Sequence, residues 1–322
     1  MPRTATIKKL RPLPEFPLDS HPEVSLDFTR VKQYLARHPY KKPVLLVDLD
    51  IVRTKARRFR AALPRVRPHF AVKANPDPRV LKVLIQEGSG FEIASIAELD
   101  ILMGLGVPPA EVFYSNPMKS RAYLEYAAAK GVEWFVLDSV EELCKIQSAK
   151  RLFKKMRLAG LKPRLLDIGG GYPVRHVKPI PSIEKIAEVV NHAIRDIPQN
   201  VRIMAEPGRF LVSDAGYFVC RVVGTATRSG KRWMYWDAGV FGGVIETTEG
   251  LRYDIITDRT GPAIPWVVAG PTCDSVDVCM REEMFPDDMQ EGDFMYIANA
   301  GAYTTAYASN FNGFPLPEVR VI

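Results

Sequence analysis

Residues 164–173 read Arg-Leu-Leu-Asp-Ile-Gly-Gly-Gly-Tyr-Pro, a short apolar run that ends in three consecutive glycines. The run suits a buried strand, and the glycines would let backbone N–H groups approach an anion closely, although a plain tight turn is an equal alternative. The next predicted strand, 201–205, leads into Glu-Pro-Gly-Arg at 206–209, where a surface ion pair between Glu206 and Arg209 is the simpler interpretation. Two successive strands that end in such loops favour a functional site at the carboxyl ends of parallel strands.

On both sides of this stretch, from residue 43 to about residue 209, apolar runs alternate with helix-like segments, the pattern of parallel βα units. The pattern predicts the α/β class and a barrel of the (β/α)8 type. Such a barrel closes with eight strands, so the six candidates leave it two βα units short. The predicted strands are Phe70–Lys73, Gly90–Ala94, Val112–Ser115, Trp134–Leu137, Arg164–Ile168 and Val201–Ala205.

A second domain is predicted beyond the barrel, because β-rich segments separated by Gly, Pro and Asp turns indicate a C-terminal antiparallel β domain. Its strands are Tyr217–Thr227, Arg232–Asp237, Trp266–Ala269 and Phe294–Ala298. The extended stretch Val44–Asp48 is expected to add a strand to this domain. The predicted domains are an N-terminal extension packing on the β domain (1–43), the barrel (44–214) and the β domain (215–322).

The composition is that of an ordinary globular chain of 322 residues, 47% hydrophobic and 25% charged. Its 44 Lys and Arg against 37 Asp and Glu give a net charge of +7. The basic residues are dispersed, so a solvated surface is the preferred interpretation and nucleic-acid binding a minor alternative.

The four cysteines show no CxxC spacing and no partner histidines, which argues against a disulfide framework and a zinc site. The stretch Met1–Leu18 lacks the apolar core of a signal peptide, and no later segment is apolar over the ~20 residues that a membrane helix needs. We therefore expect a cytoplasmic protein with no metal, membrane or nucleic-acid partner.

Two further clusters contain residue types that carry chemistry. Lys73 directly follows a predicted strand, where desolvation would leave a free amine able to form a Schiff base; a lysine extending to solvent is the commoner case. Cys273 and Asp274 lie in a Gly/Pro loop, where the cysteine is either a positioned proton donor or a small buried hydrophobe. Spacing alone does not decide between these alternatives.

Taken together, seven motifs resemble the pyridoxal-phosphate (PLP) dependent decarboxylases of ornithine, lysine and diaminopimelate, especially the bacterial ornithine and ornithine/lysine enzymes. They are AVKAN, FEIASIAEL, YSNPMK, LDIGGGYP, AEPGR, GPTCDS and NAGAYT, and they cover nearly the whole chain in the family's order. The resemblance implies a PLP barrel of the alanine-racemase-like fold, a β-sandwich-like domain, and a homodimer. In that dimer, the GPTCDS loop of one subunit completes the active site of the other.

The resemblance also implies roles for individual residues. Lys73 would bind PLP covalently, Glu206 would face the pyridine nitrogen, and Cys273 would protonate the carbanion after CO₂ leaves. Asp274 and Glu246 would contact the distal amine of the substrate, which ranks ornithine first, lysine second and diaminopimelate, with its extra carboxylate, a distant third. The implied cofactor-binding residues are Lys73, Glu92, Gly169, Gly170, Gly171, Glu206, Gly208, Arg209 and Tyr303.

One departure from the family lies around residues 146–149, where relatives have two more βα units. The missing stretch would include an arginine, the histidine that stacks on the cofactor ring and a serine that holds its phosphate. A shortened protein, an internal deletion and an omitted stretch all account for it. The alternatives to a decarboxylase are a non-catalytic relative acting through dimerisation or partner binding, like the antizyme inhibitors, and a PLP-dependent racemase.

Overall fold

The computed structural model describes residues 25–136, 164–195, 197 and 199–322. Its helices are α1 (Phe28–Arg37), α2 (Leu49–Ala62), α3 (Pro78–Gln86), α4 (Ile96–Gly104), α5 (Arg121–Lys130), α6 (Ile183–Ile194) and α7 (Arg209–Val212). Its strands are β1 (Val44–Val47), β2 (Val66–Ala71), β3 (Gly90–Ile93), β4 (Val112–Tyr114), β5 (Trp134–Phe135), β6 (Leu165–Asp167), β7 (Arg202–Ala205), β8 (Gly216–Arg228), β9 (Lys231–Trp236), β10 (Ile255–Thr257), β11 (Ala263–Ala269), β12 (Val278–Pro286), β13 (Phe294–Ile297) and β14 (Glu318–Val321).

The six strands predicted for the barrel form one curled sheet in the order β5-β4-β3-β2-β7-β6, with every neighbouring pair parallel. The α/β class and the six strands are confirmed. The largest shift is in β2, which was predicted at Phe70–Lys73 but ends at Ala71, because Lys73 lies in the turn that follows. The carboxyl ends of these parallel strands share one edge of the sheet, so the loops that follow them come together.

The sheet has two outer strands, β5 and β6, and the residues that join them along the chain, 137–163, lie outside the described part. Within the described residues the parallel sheet is therefore a half-barrel of six strands rather than eight. This agrees with the predicted shortfall of two βα units. The predicted join at residues 146–149 also lies outside the described residues.

Helix α2 connects the sheet to the loops after its strands. Asp48 caps the helix by accepting hydrogen bonds from the N–H groups of Asp50 (2.8 Å) and Ile51 (3.3 Å). The buried residues of α2 recur at helical spacing, and among them is the fully buried Phe59. The Phe59 ring packs edge-on against Tyr172, with centroids 5.0 Å apart, so α2 supports the glycine loop that follows β6.

The C-terminal domain is a mixed sheet built around the long strand β8. The first part of β8 pairs antiparallel with β1 and β13, and its second part pairs antiparallel with β9. The predicted strand at Val44–Asp48 is confirmed as β1, whereas β10, β12 and β14 were not predicted. Two pairs, β9–β11 and β1–β14, are parallel, a departure from the antiparallel expectation, since a sequence pattern indicates a strand but not its partner.

The described part of the N-terminal extension contacts the C-terminal domain. In α1, the Phe28 ring lies 5.0 Å from that of Tyr296, edge-on, and 6.2 Å from that of Tyr217. Leu26 N–H donates to the carbonyl of Asp214, the last residue of the predicted barrel, at 2.9 Å. The ring contacts agree with an extension packed on the β domain, and the predicted domain boundaries stay predictions.

The described residues lack two features that would indicate other kinds of protein. None of the helices there is long and apolar enough to cross a membrane. The same residues contain no group of three or more His, Cys, Asp or Glu side chains placed to hold a metal ion.

Candidate active site

A cavity of about 730 Å³ opens where β2, β3, β6 and β7 end, facing loops of the C-terminal domain. This is the edge of the parallel sheet at which the sequence predicted a site. The predicted residues that line it are Lys73, Glu92, Gly170, Gly171, Glu206, Gly208, Arg209, Glu246 and Tyr303. Gly169, Cys273 and Asp274 do not line it.

The amine of Lys73 is presented by a single 3-10 turn directly after β2. Two hydrogen bonds join this turn and the residue after it to the C-terminal domain. The Tyr303 N–H donates to the Ala74 carbonyl at 2.8 Å, and the buried Asn75 side-chain amide donates to the Gly301 carbonyl at 2.8 Å. The asparagine of the AVKAN motif is therefore a brace between the two domains rather than a chemical group of the site.

Two carboxyl groups, those of Glu92 and Glu206, line the cavity together with Lys73. Glu92 is 1% exposed and accepts a hydrogen bond from the Ser115 hydroxyl, while its other oxygen has no partner among the described residues. Burial raises the pKa of Glu92 against the lowering effects of Ser115 and Lys73. Burial first, and then the charges of Asp167 and Glu92, raise the pKa of Glu206 to about 8. Glu206 therefore carries a proton at neutral pH in the free protein.

Replacing Glu206 with glutamine should stabilise the PLP-free protein at pH 9 and have little effect at pH 4. An acid whose pKa rises on folding favours the folded state below its unfolded pKa of 4.5, and this contribution is lost as pH rises through about 8. Glutamine cannot ionise, so the variant does not lose stability in this way at high pH. Thermal unfolding midpoints at both pH values measure the difference. The exposed Glu249→Gln serves as the control, and an equal shift at both pH values would contradict the prediction.

The glycine loop after β6 is bonded directly to the loop after β7. Gly169 N–H donates to the Asp167 carboxylate, and Glu206 N–H donates to the Gly169 carbonyl, both at 2.8 Å. A Cβ atom on Gly170 would lie 2.8 Å from the Glu206 carbonyl oxygen, closer than packed atoms approach. Gly169 and Gly171 have φ values of 73° and 83°, which glycine adopts without strain. The run is thus more than a plain turn, because it sets the position of Glu206.

Arg209 pairs with Glu246 rather than with Glu206, the partner in the simpler interpretation of the motif. One guanidinium nitrogen lies 3.2 Å from a Glu246 oxygen, and a second nitrogen bonds the other oxygen. The guanidinium also lies 4.9 Å from the Tyr303 ring centroid. A Cβ on Gly208 would come within 3.2 Å of the Tyr303 hydroxyl, so glycine allows the tyrosine to pack here. The substrate-binding role of Glu246 stays a prediction, and its carboxylate is engaged by Arg209.

The reactive residues of the GPTCDS loop, Cys273 and Asp274, do not line the cavity of their own chain. Cys273 is exposed and has a φ of 62°, so it is not the small buried hydrophobe of the alternative interpretation. The loop is held by Asp277, which is 1% exposed and accepts from the Val240 N–H at 2.7 Å and the Thr272 hydroxyl at 2.6 Å. Asp277 was missed in the sequence analysis, where its only signal was an acid just beyond the motif.

His176 was also missed, because it belongs to none of the motifs. Its imidazole lines the cavity beside the predicted residues, and its ring packs edge-on against Tyr253 with centroids 5.6 Å apart. The only sequence signal was a histidine five residues after the last glycine of the loop.

The geometry defines the class of protein: an α/β half-barrel whose cavity holds an amine, a buried carboxyl group, a guanidinium and a glycine-rich loop, which together suit a phosphorylated aldehyde cofactor. A sequence model described as "Pyridoxal-dependent decarboxylase, pyridoxal binding domain" matches residues 49–151 and 145–213. The chain belongs to this family of pyridoxal-dependent decarboxylases. It is accordingly an enzyme, and PLP is its cofactor.

Individual relatives are similar along most of the chain. The ornithine decarboxylase of Schizosaccharomyces pombe is 29% identical over 362 residues, which cover 85% of this chain and 82% of the relative. The lysine/ornithine decarboxylase of Vibrio vulnificus, solved with cadaverine, has a TM-score of 0.81 at 28% identity and covers 91% and 98% of the two chains. The arginine decarboxylase of Paramecium bursaria Chlorella virus, solved with agmatine, has a TM-score of 0.81 at 25% identity. The match covers 91% of this chain and 100% of that one. These relatives indicate a decarboxylase of a basic amino acid.

The comparisons also bear on the missing segment. The alignment with the S. pombe enzyme runs over 362 residues and is longer than this chain of 322, so the relative has stretches that the chain lacks. The family match is divided into two pieces that meet at residues 145–151, the place at which the sequence predicted the missing units. Both observations support a barrel shortened at this point.

Proposed function

We propose that this enzyme decarboxylates L-ornithine to putrescine and CO₂, a reaction of polyamine biosynthesis. The observation that carries the proposal is the single cavity lined by the Lys73 amine, the Glu206 carboxyl group and the Arg209 guanidinium. The known substrates or products of the relatives, which include ornithine, cadaverine and agmatine, support a basic amino acid as the substrate.

The residues of the cavity fit PLP. Lys73 would bind it through the amine, Gly170, Gly171 and Arg209 would hold its phosphate, and the protonated Glu206 would share its proton with the ring nitrogen. The unpartnered oxygen of Glu92 leaves room for one further polar contact. When bound, PLP supplies an electron sink for the pair that CO₂ leaves behind. The protein's part is to hold the carboxyl and amine groups in fixed positions around it.

We propose a homodimer in which the GPTCDS loop of each subunit enters the cavity of the other. The loop does not line its own cavity, and Cys273 is exposed. Cys273 would deliver the proton that replaces CO₂, and Asp274 would bind the distal ammonium of the substrate. Because Glu246 is already paired with Arg209, we rank it behind Asp274 as the ammonium ligand. Diaminopimelate stays third, since Asp274 would repel its second carboxylate.

We further propose the domain boundaries given by the sequence, at residues 43 and 214, and a cytoplasmic location. The described cysteines are free thiols, which suits a reducing compartment.

The purified protein incubated with PLP should develop a visible absorbance band that shifts on adding L-ornithine, with release of CO₂ and putrescine. L-Lysine should react more slowly, because its extra methylene moves the ammonium away from Asp274. Absorbance and trapped CO₂ measure both steps, with D-ornithine as the control. A band without CO₂ but with loss of optical activity would indicate a racemase, and no band would indicate a non-catalytic relative.

A further inference from the structure

His176 has an unusual environment for a residue outside every motif of the family. Its ring lines the cavity together with Lys73, Glu206 and Arg209. Both ring nitrogens are buried and have no hydrogen-bond partner among the described residues. Buried polar atoms are nearly always paired, and leaving one unpaired costs free energy. The described residues therefore leave both nitrogens available to a group that binds in the cavity.

The imidazole is neutral in the free protein. Burial first, and then the nearby charge of Arg209, lower the pKa of His176 to about 4 against the opposing effects of Glu246 and Asp254. A neutral imidazole has one N–H donor and one acceptor nitrogen. It can thus donate a hydrogen bond to an acceptor in the cavity without first taking up a proton.

Other residues that line the cavity with His176 carry groups able to bind an anion. Arg209 contributes a guanidinium, and the glycine loop five residues earlier contributes backbone N–H groups. Glu246 neutralises Arg209 through a two-point ion pair, so the arginine alone adds little net positive charge. An anion placed here would need another donor.

We propose that His176 donates a hydrogen bond to the phosphate of PLP and so positions the cofactor. This role rests on the proposed function. It would also compensate for the departure from the family described above, because the segment missing near residues 146–149 would have carried a serine that holds the phosphate. A donor from the loop after β6 replaces in part the contact that this shortened barrel lacks.

The test compares PLP with pyridoxal, which has the same ring and aldehyde but no phosphate. In His176→Phe, which keeps an aromatic ring without donors, the dissociation constant for PLP should rise about tenfold, the size expected for loss of a hydrogen bond to a charged acceptor. The constant for pyridoxal should stay within about twofold of the parent value. His176→Asn, which restores an N–H donor, should recover part of the loss. Absorbance titrations measure all the constants.

Controls keep the outcomes separate. His192→Phe alters an exposed histidine of α6 and should change neither constant, and circular dichroism checks that each variant is folded. Equal weakening of PLP and pyridoxal in His176→Phe, or no weakening of either, would overturn the proposal while leaving the proposed function intact. A parent protein that binds neither compound would overturn both.

Discussion

Replacing Lys73 with alanine should remove the visible absorbance band of bound PLP and lower the rate of CO₂ release from L-ornithine by about 10²–10⁴-fold. The turn that carries the amine is held by hydrogen bonds of Tyr303 and Asn75. No other described lysine lines the cavity, so none can take its place. Lys82→Ala, on the exposed face of α3, is the matched control and should behave like the parent. Absorbance spectra and trapped CO₂ from the same samples report the two effects.

A mixture of two inactive variants extends this prediction to the dimer. If the GPTCDS loop completes the partner's cavity, Lys73→Ala and Cys273→Ser mixed in equal amounts should recover about a quarter of the parent activity, because half of the dimers then hold one intact site. Either variant alone should stay inactive. An unmixed Lys73→Ala protein that retains the band and the activity would rule out the assignment of Lys73.

Replacing Lys55 with alanine should destabilise the protein by about 3–5 kcal/mol, the cost of leaving one partner of a buried ion pair alone. The Lys55 amine bonds the carboxylate of Asp214, and the two residues are 3% and 2% exposed. The ammonium also lies 4.0 Å from the ring centroid of Phe210, and the other Asp214 oxygen has no partner among the described residues. Alanine would leave this buried carboxylate without its ion-pair partner. Urea unfolding followed by circular dichroism measures the loss.

Two controls separate the unpaired charge from the loss of packing. The double variant Lys55→Met/Asp214→Leu removes both charges and should recover most of the lost stability. Lys32→Ala breaks an exposed pair with Asp258 and should cost less than about 1 kcal/mol. If the double variant is as unstable as Lys55→Ala, packing rather than the unpaired carboxylate is the cause.

The parallel strands could be predicted because each is an apolar run that ends in a distinctive loop, a signal that does not depend on the rest of the fold. Strands without that signal were missed. β12 carries Arg281 and Glu282 on exposed positions and a half-buried Glu283, and β10 is only three residues long. The parallel pairs in the C-terminal sheet escaped prediction because pairing is decided by contacts between distant segments.

The site residues that belong to sequence motifs could be predicted, and those outside the motifs could not. Lys73, Glu206, Gly170 and Gly171 line one cavity, as expected from their places at strand ends. His176 and Asp277 were missed because burial gives them their importance, and burial is not visible in a short stretch of sequence. The pairing of Arg209 with Glu246 joins residues 37 positions apart in the chain and required the fold.

The order of strands in the half-barrel explains why the predicted shortening leaves the cavity residues in place. Lys73 and Glu206 follow β2 and its neighbour β7, and Glu92 lies in the other neighbour, β3. Among the described residues the sheet ends at β5 and β6, its outermost strands. The turn bearing Lys73 is braced from the C-terminal domain rather than from across the barrel. A barrel shortened between β5 and β6 therefore leaves the reactive amine on the strand and the interdomain hydrogen bonds that hold it.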